Sequence, residues 1–286
     1  MSVKIVKISP GFEEIMPKDY KDLVSNGPYG KGFGIKELGT FKELIEEHPL
    51  CAGCGLALSK RLILASLPSP ENTIIVGTTG CSSLSFSQVA LHNIHSIFGN
   101  QNAVATGLKR ALEIRFPDVI KDVVAIGGDG AIGDIGLGMV MHSWFRGEKF
   151  ATIMLDNESY ANTGGQESGM SQQGAVLNMA PTGKKYNKLP MAEIARDAGC
   201  VYSVSVTFAK PKRLEKIIRR AVLIARQLGP TYIQIYCPCP TNYKHKPSES
   251  LERARDAEKS GAYPVKEYMS PEAEELIKKL EEGKKC

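Results

Sequence analysis

Five short apolar runs recur along the chain with helix-patterned stretches between them, and this alternation limits the fold more than any other feature. The runs cover 73–77, 123–127, 151–155, 201–206 and 231–236. Apolar residues recur at helical spacing over 55–66, 103–116, 135–146, 191–198 and 212–227. Strands this apolar must be buried on both faces, and helical crossovers between them make neighbours parallel. The expected fold class is α/β, a parallel sheet with helices on both faces. Hydrophobic residues at 42% and charged residues at 23% exclude disordered and fibrous classes. A net charge of +5 is too small to require nucleic acid.

The alternation divides the chain into three parts. Residues 48–243 form the expected binding domain. Residues 1–47, with Pro10, Pro17, Pro28 and a glycine-rich stretch, read as an N-terminal extension. Residues 244–286 are charge-rich, with helices expected over 251–259 and 271–285, and read as a segment packed on the domain. The basic run from Lys212 to Arg220 reads as a solvated helix face.

No stretch approaches the ~18–20 apolar residues of a membrane span, so no membrane is expected as a partner. Met1 to Lys7 carries no secretion signal. The expected location is cytoplasmic, where disulfides are rare. Seven cysteines then need another account.

Ligands of open α/β sheets bind where strands end at their C-terminal edge. One run ends in Gly127-Gly128-Asp129-Gly130, and the next in Leu155-Asp156-Asn157-Glu158. Side by side, Asp129 and Asn157 offer hard oxygen ligands for a Mg²⁺ that also holds a diphosphate. Gly128 and Gly130 let phosphate approach backbone N–H groups, and a helix from Ile135 turns its N-terminus toward the anion. The plainer alternative is a pair of strand-end turns with Asx capping.

Cys51-Ala52-Gly53-Cys54-Gly55 is a C-x-x-C between glycines. Cys81 follows the first strand, and Cys237-Pro238-Cys239-Pro240 follows the last. Such a set suits a [4Fe–4S] cluster or zinc. Gly53 and Gly55 would let backbone N–H groups reach cluster sulfides. Cys200 reads as a core thiol and Cys286 as incidental. His92 and His95, three apart, fit one helix face in a surface or packing role. His48 either bonds near the thiols or caps a turn. Asn100 and Asn102 precede a helix, where capping is the plain reading.

Two strings carry a family likeness. Gly128-Asp129-Gly130 followed by Asn157 matches the thiamine diphosphate-binding motif. With 128–136 and 156–166 around it, the chain resembles the β subunit of 2-oxoacid:ferredoxin oxidoreductases. The His-x-x-Cys-x-Gly-Cys-Gly run at 48–55, Thr79-Gly80-Cys81 and Cys239-Pro240-Thr241 fit the same family, and the resemblance runs from about His48 to about Tyr268. It implies a thiamine diphosphate-binding fold. Asp129, the Asn157 side chain and the Ser159 carbonyl would hold Mg²⁺. Asn162 would hydrogen-bond the substrate, and Asn100 would lie near the cofactor. Cys51, Cys54, Cys81 and Cys239 would carry a [4Fe–4S] cluster, with Cys237 the rival for the fourth place.

The implied reaction is oxidative decarboxylation of a small 2-oxoacid, pyruvate first, with coenzyme A as acyl acceptor and electrons passed to ferredoxin. The ylid-forming glutamate comes from a companion α subunit in the family, so this chain is incomplete alone. A ferredoxin-like subunit or domain would carry electrons onward to an external ferredoxin. Gly99 stands where the family often has glutamate, and 167–174 departs from the pyruvate-type pattern. With Gln172 and Gln173, that makes oxalate or 2-oxoglutarate the alternative substrate. Two other classes remain. Asp129 and Asn157 speak against a non-catalytic iron–sulfur carrier. The missing second C-x-x-C speaks against a zinc-stabilised module.

Overall fold

The computed structural model describes residues 48–89 and 91–282. The extension over 1–47, Cys286 and the end of the helix expected over 271–285 lie outside these residues. Among the described residues seven strands form one sheet: β1 (Thr73–Thr78), β2 (Asn93–Ser96), β3 (Asp122–Gly128), β4 (Ala151–Asp156), β5 (Tyr202–Thr207), β6 (Thr231–Tyr236) and β7 (Lys266–Met269). Their order is β2-β1-β3-β4-β6-β5-β7. Every pair is parallel except β5 with β7. The helices are α1 (Gly55–Ser66), α2 (Gln101–Arg115), α3 (Leu137–Phe145), α4 (Met191–Asp197), α5 (Pro211–Gln227), α6 (Ser250–Lys259) and α7 (Pro271–Glu282). None is long and apolar enough to cross a membrane.

Alternation along the strands sets the two faces. Val124, Ile126, Ile153 and Leu155 point into one core with Leu62 and Ile63 of α1 and Ile217 and Ile218 of α5. Met154 and Tyr232 point the other way, under Val140 and Trp144 of α3 and Ala195 of α4. Val123 and Ala125 meet Ala105 of α2 on that second face. The five expected strands are thus the buried centre of the sheet.

The two strands without an apolar run are its edges. β2 reads Asn-Ile-His-Ser, and β7 reads Lys-Glu-Tyr-Met with mostly exposed side chains. The antiparallel β7 makes the sheet mixed. His92 and His95 do not share a helix face, since they sit at and within β2, where residues three apart diverge. His95 stacks on Phe86 with centroids 6.2 Å apart and meets Thr79 Oγ1 at 3.1 Å.

The basic face of α5 is not simply solvated. Arg213 and Lys210 bond Glu258 of α6, and Arg220 bonds Glu281 of α7 at 3.0 Å. Ala273 and Ile277 of α7 join the core over α5. Opposite charges and a small apolar stripe therefore hold the C-terminal helices on the domain.

Candidate active site

Four neighbouring strands, β1, β3, β4 and β6, end at one edge of the sheet; Asp129 and Asn157 directly follow β3 and β4, and Cys81 and Cys239 come third after the ends of β1 and β6. Gly128 pairs with Leu155, which brings the Asp129 and Asn157 turns side by side. A cleft of about 300 Å³ opens here. Leu56, Thr79 to Ser82, Phe98, residues 128–131, Asn157 and residues 159–163 line it.

Asp129 does not precede a loop, as a helix beginning near Ile135 would require. It is already helical (φ −56°, ψ −47°). A wide turn over Gly130–Ile135, closed by Gly136 N–H to the Ala131 carbonyl at 3.1 Å, leads into α3. Such wide turns cluster at functional sites. The helical N–H groups therefore begin beside the carboxylate. A side chain at Gly128 would meet open space on the cleft wall. A Cβ at Gly130 would lie 2.3 Å from the Tyr160 ring, so packing also accounts for that glycine.

Asp129, Asn157 and Ser159 are all buried. The side-chain amide atom of Asn157 that faces inward lies 2.8 Å from Asp129 Oδ1 and 2.9 Å from the Ser159 carbonyl oxygen. Bonds of about 2.0–2.1 Å from one Mg²⁺ set neighbouring ligands of an octahedron at about this spacing. With the amide oxygen inward, it stands at ligand spacing from both the carboxylate and the carbonyl. Turned over, the amide nitrogen would donate to both partners. The donor set therefore fits Mg²⁺.

Burial and the neighbouring Asp156 charge hold the Asp129 carboxyl well above the usual range. A cation at the triangle would offset both. Ser168 Oγ donates to Asp129 Oδ2 at 2.5 Å. Asp134 accepts from Tyr160 OH at 2.8 Å and from the Gly169 N–H at 2.9 Å, which ties the 160–169 loop over the turn. Asn162 lies on the cleft wall with an exposed amide. Asn100 opens α2 without a side-chain capping bond and lies outside the cleft lining. Asn102 is no cap either: it bonds Ser143 Oγ at 3.0 Å and Thr152 Oγ1 at 2.9 Å inside the core.

The thiols gather beside the same cleft. Gly53 has φ +70°, and a Cβ there would strike the Pro247 carbonyl oxygen at 2.3 Å. At Gly55 a Cβ would lie 2.7 Å from the Cys237 backbone, and the Gly55 N–H donates to the Pro238 carbonyl at 3.2 Å. These glycines press the C-x-x-C loop onto the 237–247 segment. Thr241 Oγ1 donates to Cys51 Sγ at 3.5 Å.

Burial pushes the Cys81 thiol up to about 12, and the charges of Cys54, Cys239, Cys51 and Asp129 add to the effect. Cys54 and Cys239 are also raised by burial, while backbone N–H groups of Leu56 and Ala57 and of Thr241 and Asn242 favour their thiolates. Cys51, Cys54, Cys81 and Cys239 thus lie within charge range of one another. That donor set, four thiols with N–H donors around them, suits an iron–sulfur cluster. No three His, Cys, Asp or Glu side chains among the described residues converge on one ion position. Cys237 is fully buried, bonded to Ser59 Oγ at 3.2 Å and the Ile235 carbonyl at 3.2 Å. Cys200 is a core thiol under α3 and α4. The His48 ring has a buried Nδ1 without a partner among the described residues.

Residues 78–235, which span this strand edge, match the C-terminal TPP binding domain of thiamine pyrophosphate enzymes. Pyruvate synthase subunit PorB from Methanosarcina barkeri is 34% identical over 242 residues, covering 81% of this chain and 80% of that one. Ketoisovalerate oxidoreductase subunit VorB from Pyrococcus furiosus is 30% identical over 236 residues, covering 77% and 74%. The chain belongs to the β subunits of the 2-oxoacid:ferredoxin oxidoreductases.

It is a thiamine diphosphate-binding oxidoreductase subunit, and a partner subunit is implied. Its fold is shared with a 2-oxoglutarate:ferredoxin oxidoreductase from Magnetococcus marinus, with a TM-score of 0.64 and 24% identity over 85% of this chain and 90% of that one.

The family departures have local explanations in this β subunit. Gly99 has φ +83°, and a Cβ there would lie 2.9 Å from Ile135 and 3.0 Å from the Gly136 nitrogen. Close approach to the wide turn therefore accounts for glycine at 99. Gln172 bonds Glu158 at 2.7 Å, Gln173 bonds the Lys185 carbonyl at 3.2 Å, and neither lines the cleft. Sequence reading missed Ser168, Asp134 and Tyr160, which no motif in the chain marks as partners of the Asp129 turn.

Proposed function

We propose that this chain, with a companion subunit, builds the active site of an enzyme that oxidatively decarboxylates a small 2-oxoacid, pyruvate first, and passes the electrons through a [4Fe–4S] cluster to ferredoxin. The observation carrying this reading is the position of Cys81. It stands on the cleft wall beside the Asp129 turn and within charge range of Cys51, Cys54 and Cys239. A cofactor in the cleft would therefore border the thiol group directly.

Thiamine diphosphate supplies an electron sink for decarboxylation, and the cluster a one-electron acceptor. Asp129, Asn157 and the Ser159 carbonyl would hold Mg²⁺ and through it the diphosphate. Gly128 leaves room for the phosphate groups, and the helical turn after Asp129 turns N–H groups toward them. Asn162 offers an amide to the substrate. Leu56 and Phe98 exclude water from the wall. Cys51, Cys54, Cys81 and Cys239 would ligate the cluster, since Cys237 is turned into the core.

Two features of the lining support this reading. Asp129 is the lone carboxylate among the described lining residues, so the ylid-forming glutamate would come from the companion α subunit. No Lys, Arg or His is among the described lining residues, so none of these offers a cation to the second carboxylate of oxalate or 2-oxoglutarate. Coenzyme A as acyl acceptor, a ferredoxin-like subunit and an external ferredoxin complete the proposed system.

The test is an anaerobic assay of the co-purified complex with coenzyme A and ferredoxin. Ferredoxin reduction with pyruvate, and little with oxalate or 2-oxoglutarate, supports the reading. Turnover of a 2-oxoacid by this chain alone, or preference for a dicarboxylate, contradicts it.

A further inference from the structure

Lys60 is 1% exposed, and no carboxylate among the described residues pairs with it. It projects from α1, less than two turns beyond Cys54. Its ammonium donates to the Ser82 carbonyl at 2.6 Å and to Ser85 Oγ at 2.8 Å. The same Nζ sits 3.8 Å from the centre of the Phe86 ring. All three contacts lie in the short 3₁₀ segment Cys81–Gln88. One buried cation thus ties the helix that starts at Cys54 to the segment that starts at Cys81.

We propose that Lys60 is a positioning residue and fixed countercharge for the cluster on Cys51, Cys54, Cys81 and Cys239, holding the Cys81 segment against α1 and making the cluster easier to reduce. This rests on the cluster reading above. Four thiolates make the site anionic, and each added electron makes it more so. Net charge and burial set the potentials of such clusters. A positive charge in a low-dielectric interior stabilises the more negative, reduced form.

Burial pushes the Lys60 ammonium down to about 7 in this chain. Isolated, that cation is costly to bury. An anionic cluster on Cys81, the residue before its Ser82 contact, would supply a counter-anion, and the cation would offset the crowding of four thiolates. Its bond to the Ser82 carbonyl satisfies the buried ammonium and fixes the charge one residue from a proposed ligand.

The experiment is a redox titration of the anaerobically purified complex, followed by the electron spin signal of the reduced cluster. Wild type, Lys60→Met and Lys60→Arg are compared at equal iron content. Lys60→Met is expected to disfavour reduction about tenfold, a fall of about 59 mV for a one-electron couple. Lys60→Arg, which keeps the charge, stays near wild type. If Lys60→Met does not accumulate, Lys60→Gln is titrated instead, with the same fall expected. A neutral variant with full iron and the wild-type potential would overturn the countercharge role. A wild-type complex without iron would overturn the cluster reading, and the countercharge with it.

Discussion

Lys188 Nζ lies 2.8 Å from Asp156 Oδ2, and the same ammonium reaches Glu158 Oε1 at 2.7 Å. These two carboxylates bracket Asn157. Asp156 also accepts from Gln234 at 2.8 Å and Tyr263 OH at 2.9 Å. Glu158 takes a left-handed φ of 59°, so the turn that presents Asn157 is held in a strained form by its neighbours. Removing one partner of a buried pair leaves charge uncompensated and costs on the order of 3–5 kcal/mol. Lys188→Met should lower stability by that order in urea unfolding and reduce thiamine diphosphate retention. Lys188→Arg should recover part of both.

Asp129→Ala should abolish retention of Mg²⁺ and thiamine diphosphate in the complex, because it removes the charged member of the oxygen triangle. Ser168→Ala should keep the site but weaken metal binding roughly 10–100-fold, the usual effect of losing a group that orients a ligand. Calorimetric titration of the complex, stripped of metal by chelator, reads both.

Gly99→Glu should lower the melting temperature and leave substrate preference unchanged. The glycine sits at φ +83° against Gly136, and a side chain in such a conformation costs of order 1–3 kcal/mol. A Glu variant of normal stability that shifts preference among 2-oxoacids would restore a substrate role for position 99.

Acid should loosen the C-terminal helices first. Arg213, followed by Lys210 and Thr207, holds the Glu258 carboxyl at about 2. A carboxyl depressed in the folded state contributes stability above its unfolded value near 4.5, and that contribution is lost as pH falls from there toward 2. Glu258→Gln should therefore be less stable than wild type at pH 7, with the difference shrinking by pH 3. Unfolding curves at the two pH values check this.

The legible parts of the fold were those where one segment faces one environment. β3, β4 and β6 are apolar on both faces because helices cover both, so their runs stand out. β2 and β7 lie at edges, where Asn93, His95, Lys266 and Glu267 are tolerated, and no apolar run marks them. The Asp129 and Asn157 pair was readable because strand ends fix where turns fall. Their supports were not. Ser168, Lys188 and Lys60 reach the site from loops or helices distant in sequence, through contacts that only the folded chain creates. The wide turn over Gly130–Ile135 replaces the expected loop for a similar reason: Tyr160, Gly169 and Gly99 shape it from outside.

On the proposed reading, one edge of the sheet holds thiamine diphosphate and a four-thiol cluster side by side. Iron and thiamine diphosphate analysis of the anaerobically purified complex tests it most directly, on wild type and on single serine variants at 51, 54, 81, 237 and 239. About four irons and one thiamine diphosphate per chain are expected in wild type. Iron should be lost in the serine variants of Cys51, Cys54, Cys81 and Cys239, and retained in Cys237→Ser. A wild-type complex with thiamine diphosphate but no iron, or one that loses iron in Cys237→Ser and keeps it in Cys239→Ser, would contradict it.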